Sequence, residues 1–281
     1  MRFENLHDNT QKWIRAAVNE GHPAEAIIYT LHTDGHPQDI NEAVYQYLQE
    51  IYPREQSPLI PDQLRSTEST RFAYDKEVQV LLTLDQPHVI LFGDFLSSEE
   101  CDQIVADSKP KLRPSTVINA VSGSYDTDNQ IRTSYGSSFK RKENDLVKRV
   151  EKRISALTGC PEKHAEPIQI LNYAPGAEYK PHMDYFDPKF SGNANVLAMG
   201  GQRYATLIMY LNDVDVGGST VFPKIGLDIL PRKGCALYFA YANQNGWLDH
   251  RTLHGGSPVI SGEKWIATKW MRFDKYTGPL A

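Results

Sequence analysis

The sequence predicts a mixed α+β fold: a small helical N-terminal domain, then an antiparallel double-sheet core of jelly-roll type buttressed by helices. Over about the first fifty residues the apolar side chains recur at helical spacing. From Val78 onward, short runs rich in β-branched and aromatic residues are separated by Gly, Pro and Asn turns. Helix signals also gather ahead of most strand signals, which makes the helices a buttress on one sheet. With 281 residues, 40% of them hydrophobic, the chain suffices for one large core and a smaller appendage.

Gly21-His22-Pro23 and Gly35-His36-Pro37 each read as a helix stop and restart, Gly closing one helix and Pro opening the next. Three short helices follow. Their inward stripes are Trp13, Ile14, Ala17 and Val18, then Ile27, Ile28 and Leu31, then Val44, Tyr47, Leu48 and Ile51. Pro58, Pro61 and polar neighbours mark an irregular stretch, so residues 1–60 are expected as the helical domain, 61–77 as a linker and 78–281 as the main domain. There, strands are expected over 78–84 and 89–92. Ser97-Ser-Glu-Glu has the shape of a capping box, and 143–157 reads as a second amphipathic helix. Further strands are expected at 168–173, 205–211, 235–241 and 265–273.

A formal net charge of -5 and a pI near 6.0 provide no global field for nucleic acid or an anionic membrane, so neither is expected as a partner. Cys101, Cys160 and Cys235 are odd in number and widely spaced, which argues against a disulfide framework or a zinc knuckle. The first residues lack an apolar signal region and no run is long enough to span a bilayer. A cytoplasmic protein is expected.

His182-Met-Asp184 and, far downstream, His254 carry the chemistry. Two imidazoles and one carboxylate can hold Fe(II) on one face and leave the other open for a co-substrate and oxygen. On an extended strand His182 and Asp184 would face one side and Met183 the other. His254 follows seventy-two residues after His182 (254 minus 182), enough to return on another strand, with Gly255 and Gly256 behind it. His250 is a competitor, read as a loop residue or as one beside the ligands rather than on the metal. Lys264 opens an apolar strand, where an inward lysine is costly unless it meets an anion. A dicarboxylate that chelates iron at one end and pairs with Lys264 at the other meets that demand.

These residues fall within a longer order: Tyr173-x-x-Gly176-x-x-Tyr179-x-x-His182-x-Asp184, Arg203, Tyr210-Leu-Asn, Gly217-Gly-Ser-Thr220-x-Phe222-Pro, Pro231-x-Lys233-Gly234, His254-Gly-x-x-Pro258-Val and Gly262-x-Lys264-Trp-x-Ala-Thr-x-Trp270. The order resembles the 2-oxoglutarate- and Fe(II)-dependent prolyl 4-hydroxylases of collagen and bacterial type, from about Val89 onward. The resemblance implies a double-stranded β-helix (cupin-like) core, with His182, Asp184 and His254 on Fe(II) and Lys264 on the distal carboxylate of 2-oxoglutarate. It makes Tyr173 and Thr220 partners of that co-substrate, O2 the oxidant, and ascorbate an accessory. Tyr179, Arg203 and Trp270 fall where the family lines its substrate groove, and 125–135, with Arg132, resembles the loop that closes over a peptide.

The residues alone leave Tyr173, Tyr179 and Trp270 equally open to aromatic packing, and Thr220 to a turn role. Two departures bear on the substrate: Ser219 stands where the family carries an acid, and 188–201 is a long, Gly-rich insertion. The expected reaction is hydroxylation of a prolyl residue in a peptide, releasing succinate and CO2. One alternative is a free amino acid such as proline or pipecolate, clamped by Arg203, Arg251 or Arg132. Another is a non-catalytic protein acting through its N-terminal helices, which could also serve a homodimer.

Overall fold

In the computed structural model, which describes residues 2–20, 22, 27, 30–31, 34, 36–51, 68–118, 125–126, 131–187, 190–242 and 247–279, the chain divides into two units. Met1–Leu59 and Ala242–His250 form the first, Ile60–Tyr241 and Arg251–Ala281 the second. No described helix is long and apolar enough to cross a membrane.

In the first unit, helices α1 (Asp8–Asn19) and α2 (Gln38–Ile51) share a core with a 3-10 turn over Phe3–Asn5. Ile14 and Ala17 of α1 and Val44 and Leu48 of α2 are buried together with Phe3, as their helical spacing predicts. The Phe3 ring stacks on Tyr47 at 3.5 Å, and the Arg15 guanidinium lies within 5.4 Å of both rings. Trp13, expected inside, is 40% exposed: the Ile14–Ala17 side of α1 faces the core and Trp13 sits at its margin. The expected middle helix falls largely outside the described residues, although Ile27 and Leu31 belong to this core.

The second unit begins earlier than the sequence predicts. Of the residues expected as a linker, 61–67 lie outside the described residues, but Thr70–Ala73 forms strand β1 and pairs with β2 (Lys76–Leu84). The tight turn between them places Tyr74 at φ 61°. Thr70-Arg-Phe-Ala has no apolar run to announce a strand, because it is an edge strand with Phe72 facing solvent.

The other strands follow in chain order: β3 (His88–Gly93), β4 (Arg113–Pro114), β5 (Val117–Ile118), β6 (Tyr125–Asp126), β7 (Tyr135–Phe139), β8 (Ile168–Tyr173) and β9 (Tyr179–His182). Next come β10 (Arg203–Tyr210), β11 (Val216–Gly217), β12 (Thr220–Phe222), β13 (Leu227–Ile229), β14 (Ala236–Ala240), β15 (His254–Gly256), β16 (Val259–Ser261) and β17 (Lys264–Arg272). Every pairing between them is antiparallel. The larger sheet has the order β1-β2-β3-β14-β10-β17-β8-β7-β4, and a four-stranded sheet has the order β13-β12-β15-β9. β5–β6 and β11–β16 form two small pairs.

The central strands of the larger sheet are nearly unbroken apolar runs because both of their faces are buried. One face packs on helices α3 (Ser98–Ser108) and α4 (Asp145–Thr158): Ala205, Leu207, Met209, Ala267 and Met271 meet Ile104, Val147, Val150 and Ile154 in a single core. The alternate residues, including Thr206, Tyr210, Lys264, Thr268 and Trp270, face the smaller sheet. This is the double-stranded β-helix with its helical buttress.

The helix ends follow the sequence signals. Ser97 and Glu100 complete the capping box of α3, while Asn144 caps α4 and Gly159 closes it at φ 71°. The helix face also carries charge: Glu151 of α4 meets Lys269 of β17 at 2.6 Å, both buried.

Candidate active site

His182 ends β9 and His254 begins β15, and the two are direct partners across the smaller sheet. Asp184 departs from the expected geometry. The strand stops at His182, so Asp184 sits in the following bend and Met183, expected to face away, lines the cavity. The chain turns there because β10 holds it. Thr206 Oγ1 donates to Asp184 Oδ2 at 2.6 Å, and Arg203 Nη1 donates to the Asp184 carbonyl at 3.4 Å. The three side chains still converge, with one ligand atom from each lying within 4.8 Å of the others.

The donor set fits Fe(II). Nδ1 of His182 lies 2.9 Å from Lys180 O, and Nδ1 of His254 lies 3.0 Å from Thr252 O. A carbonyl only accepts, so each Nδ1 carries the proton and each Nε2 presents its lone pair to the centre. The Nε2 atoms sit 3.7 and 3.6 Å from the Asp184 carboxylate. Burial, then the neighbouring His254, hold the His182 imidazole down to about 3, so it is neutral and ready to ligate. Burial opposes the Asp184 anion, but His254, His182, Arg203 and the Thr206 hydroxyl outweigh it and keep its acid strength above that of an ordinary carboxyl.

Lys264 is 2% exposed and makes no hydrogen bond or ion pair among the described residues. Burial pushes its ammonium down to about 7, against a partial pull from Asp228. A buried cation without a counter-ion is costly to hold, and a carboxylate in the adjoining cleft relieves that cost. Tyr173, paired with Lys264 in register, and Thr220 line the same cleft, and Thr220 Oγ1 accepts from Tyr210 OH at 2.8 Å.

On the other side of the triad opens a cavity of about 660 Å³, lined by Arg132, Tyr179, Arg203 and Trp270 among others. Tyr179 stacks on His182 at 3.6 Å, with the Arg132 guanidinium 4.8 Å from its ring. Arg132 donates to Ser134 Oγ, Thr116 O and Gln169 Oε1, all uncharged. Arg203 is committed: its guanidinium bonds both Glu166 oxygens at 2.6 and 2.8 Å and lies 4.1 Å from the Trp270 ring. Burial opposes its charge, and Glu166 more than restores it. Residues 127–130 of the expected closing loop lie outside the described residues. His250 and Arg251 occupy a 3-10 turn over His250–Thr252; neither is among the described residues that line these cavities.

Three participants escaped the sequence reading. Thr206 orients the ligand Asp184, Tyr241 OH lies 2.9 Å from Thr206 Oγ1, and Glu166 neutralises Arg203. Thr206 alone left a signal, as a polar residue inside the apolar run Tyr204-Ala-Thr-Leu-Ile-Met. Glu166 stands outside the expected strands, where no periodicity marks it, and Tyr241, at the end of the expected strand 235–241, reads as one more aromatic in an apolar run.

A two-histidine, one-aspartate centre on the small sheet, with a buried lysine on the large one, defines a non-haem Fe(II) oxygenase with a site for an acid co-substrate. Residues 168–272 match the 2OG-Fe(II) oxygenase superfamily. The chain is 39% identical over 210 residues to "Probable prolyl 4-hydroxylase 3" of Arabidopsis thaliana, covering 68% of this chain and 71% of that one. Prolyl 4-hydroxylase 5 of the same plant is 38% identical over 210 residues, covering 68% and 70%. Among solved structures, the viral collagen prolyl hydroxylase of Paramecium Bursaria Chlorella virus-1, in complex with 2-oxoglutarate, is 30% identical. It superposes with a TM-score of 0.51 over 66% of this chain and 95% of that one. The chain belongs to the prolyl 4-hydroxylase family of 2-oxoglutarate- and Fe(II)-dependent oxygenases.

Proposed function

We propose that the protein hydroxylates a prolyl residue held within a peptide, consuming 2-oxoglutarate and O2. The observation that carries this reading is the cavity of about 660 Å³ running from His182 and Asp184. Its size is that of pockets that bury a drug-sized ligand, well beyond one pyrrolidine ring. Arg203, one of the three clamps expected for a free amino acid's carboxylate, is already paired with Glu166.

When bound at His182, Asp184 and His254, Fe(II) with its co-substrate supplies the oxidising power that inserts one oxygen atom into a C–H bond and yields succinate and CO2. The chain's own residues handle placement. Lys264 pairs with the far carboxylate of 2-oxoglutarate, which Tyr173 and Thr220 also face. Thr206 holds one Asp184 oxygen and leaves the other for the metal. Tyr179 and Trp270 offer flat walls to a pyrrolidine ring, and the stacked Arg203 keeps Trp270 in place.

The test is succinate formation after anaerobic Fe(II) reconstitution, with and without a proline-rich peptide, for wild type and Asp184→Ala. Peptide-stimulated, Asp184-dependent turnover with a gain of one oxygen on the peptide is expected. Oxygen transfer to free proline or pipecolate instead would move the assignment to Arg132, whose partners are all uncharged. Absence of both iron binding and turnover would leave the helical N-terminal unit as the functional part.

A further inference from the structure

Two segments distant in sequence build one side of the catalytic cavity: residues 190–201 of the insertion and residues 273–279. Main-chain hydrogen bonds join them. Asp274 N donates to Gly200 O at 3.0 Å, Thr277 N to Met199 O at 2.7 Å and Phe273 N to Gln202 O at 3.1 Å. Arg272, 1% exposed, fastens the insertion: Nη1 donates to Val196 O at 2.9 Å and to Gly201 O at 2.7 Å, while Nε donates to Glu166 Oε1 at 2.7 Å. Gly201 sits at φ 69°, a backbone conformation that favours glycine, and a Cβ on Gly200 would fall 3.1 Å from the Tyr276 Cα, so the two segments approach closely at this pair.

Most of the side chains that this wall turns to the cavity are apolar, Phe190, Val196 and Met199 from the insertion and Tyr276 and Pro279 from the C-terminal segment; Asn193 also lines it, its side-chain amide donating to Asp187 O at 2.8 Å. Phe190 is 47% exposed at the rim. The same cavity reaches His182 and Asp184 at its other end, so whatever lies along the wall is continuous with the reacting residue. Glu166, which also lines the cavity, is already shared by Arg203 and Arg272.

We propose that this wall is a specificity subsite that seats a large apolar side chain flanking the target proline of the substrate peptide. The assignment rests on the prolyl hydroxylase reading and deepens it. A wall fixed by backbone hydrogen bonds loses little freedom when a ligand docks, so burial of an apolar side chain converts efficiently into affinity. A polar side chain in the same place would leave water for a surface that is mostly apolar and whose Asn193 amide already donates to Asp187 O.

The experiment uses the full chain with Fe(II) and 2-oxoglutarate under anaerobic conditions. Fluorescently labelled peptides carry one proline flanked on both sides by Leu or by Gln, and binding is read by anisotropy. Oxygen is then admitted and the peptide mass measured. The Leu-flanked peptide is expected to bind at least about ten-fold more tightly, the scale that one or two methylenes produce in an apolar pocket. Phe190→Ser with Met199→Gln should erase that preference, whereas Met199→Leu should keep it. Equal binding of the two peptides, a preference untouched by the double variant, or binding of neither peptide would each overturn the subsite. The mass readout is separate: a Leu preference without oxygen gain refutes proline as the target and leaves the apolar wall standing, while oxygen gain without a preference does the reverse.

Discussion

Thr206 shows how much of the metal centre depends on one hydroxyl. It donates to the carboxylate of Asp184 and sits 2.9 Å from Tyr241 OH, all three side chains being buried. Partners of this kind fix the orientation of a ligating carboxylate, and losing one typically costs 10- to 100-fold in metal affinity, roughly. Thr206→Val should weaken Fe(II) binding by about that factor in an anaerobic titration, and Thr206→Ser should restore most of it. Unchanged affinity in the valine variant would remove Thr206 from the site. Lys264 makes a second prediction at this scale. Its ammonium is depressed to about 7 in the free protein, so at pH 8 the group is mostly neutral, yet a bound carboxylate favours the charged form. Binding of 2-oxoglutarate at pH 8 should therefore take up close to one proton, and affinity should fall as pH rises beyond about 7. Calorimetry in two buffers of different ionisation enthalpy measures the uptake, which Lys264→Arg should abolish because a guanidinium stays charged.

Strand β17 shows which parts of an element can be read in advance. Lys264, Trp270 and the alternation between them were legible because a lysine entering an apolar strand stands out and the period of two fixes which residues share its face. Lys269 was not: on the opposite face it looks like an ordinary surface lysine until α4 places Glu151 at 2.6 Å. The bend after β9 was also invisible, since only contacts with β10, a strand twenty residues later, turn Asp184 back toward the histidines. The Glu151–Lys269 pair ties the buttress to the sheet. Burial works against the lysine's charge and Glu151 supports it, so Glu151→Gln should cost about 3–5 kcal/mol in urea unfolding, the usual penalty for stranding one buried charge. The double change Glu151→Leu with Lys269→Met should recover most of that loss; a single variant as stable as wild type would deny the pair any role. At the other helix, Ser97→Ala should lower stability by about 1 kcal/mol through loss of the capping box.

For the whole molecule, the two-sheet core and its buttress followed from composition and period, while the return of Ala242–His250 to the first unit did not. No composition shift marks Ala242–His250, yet it clusters with Met1–Leu59 rather than with the strands on either side of it. That segment ends four positions before His254 (254 minus 250). Removing residues 1–59 should therefore weaken Fe(II) binding as well as stability, measured side by side in the truncated and full-length proteins. A truncated protein that binds iron as tightly as the intact one would separate the helices from the metal centre. The same discontinuity sets an order of events during synthesis. The helical unit is made in two pieces: Met1–Leu59 precedes β1, and Ala242–His250 follows β14. The core shared by Phe3, Ile14, Val44 and Leu48 lies wholly within the earlier piece and can close before β1 emerges, whereas the unit as a whole is complete only once β14 has been made.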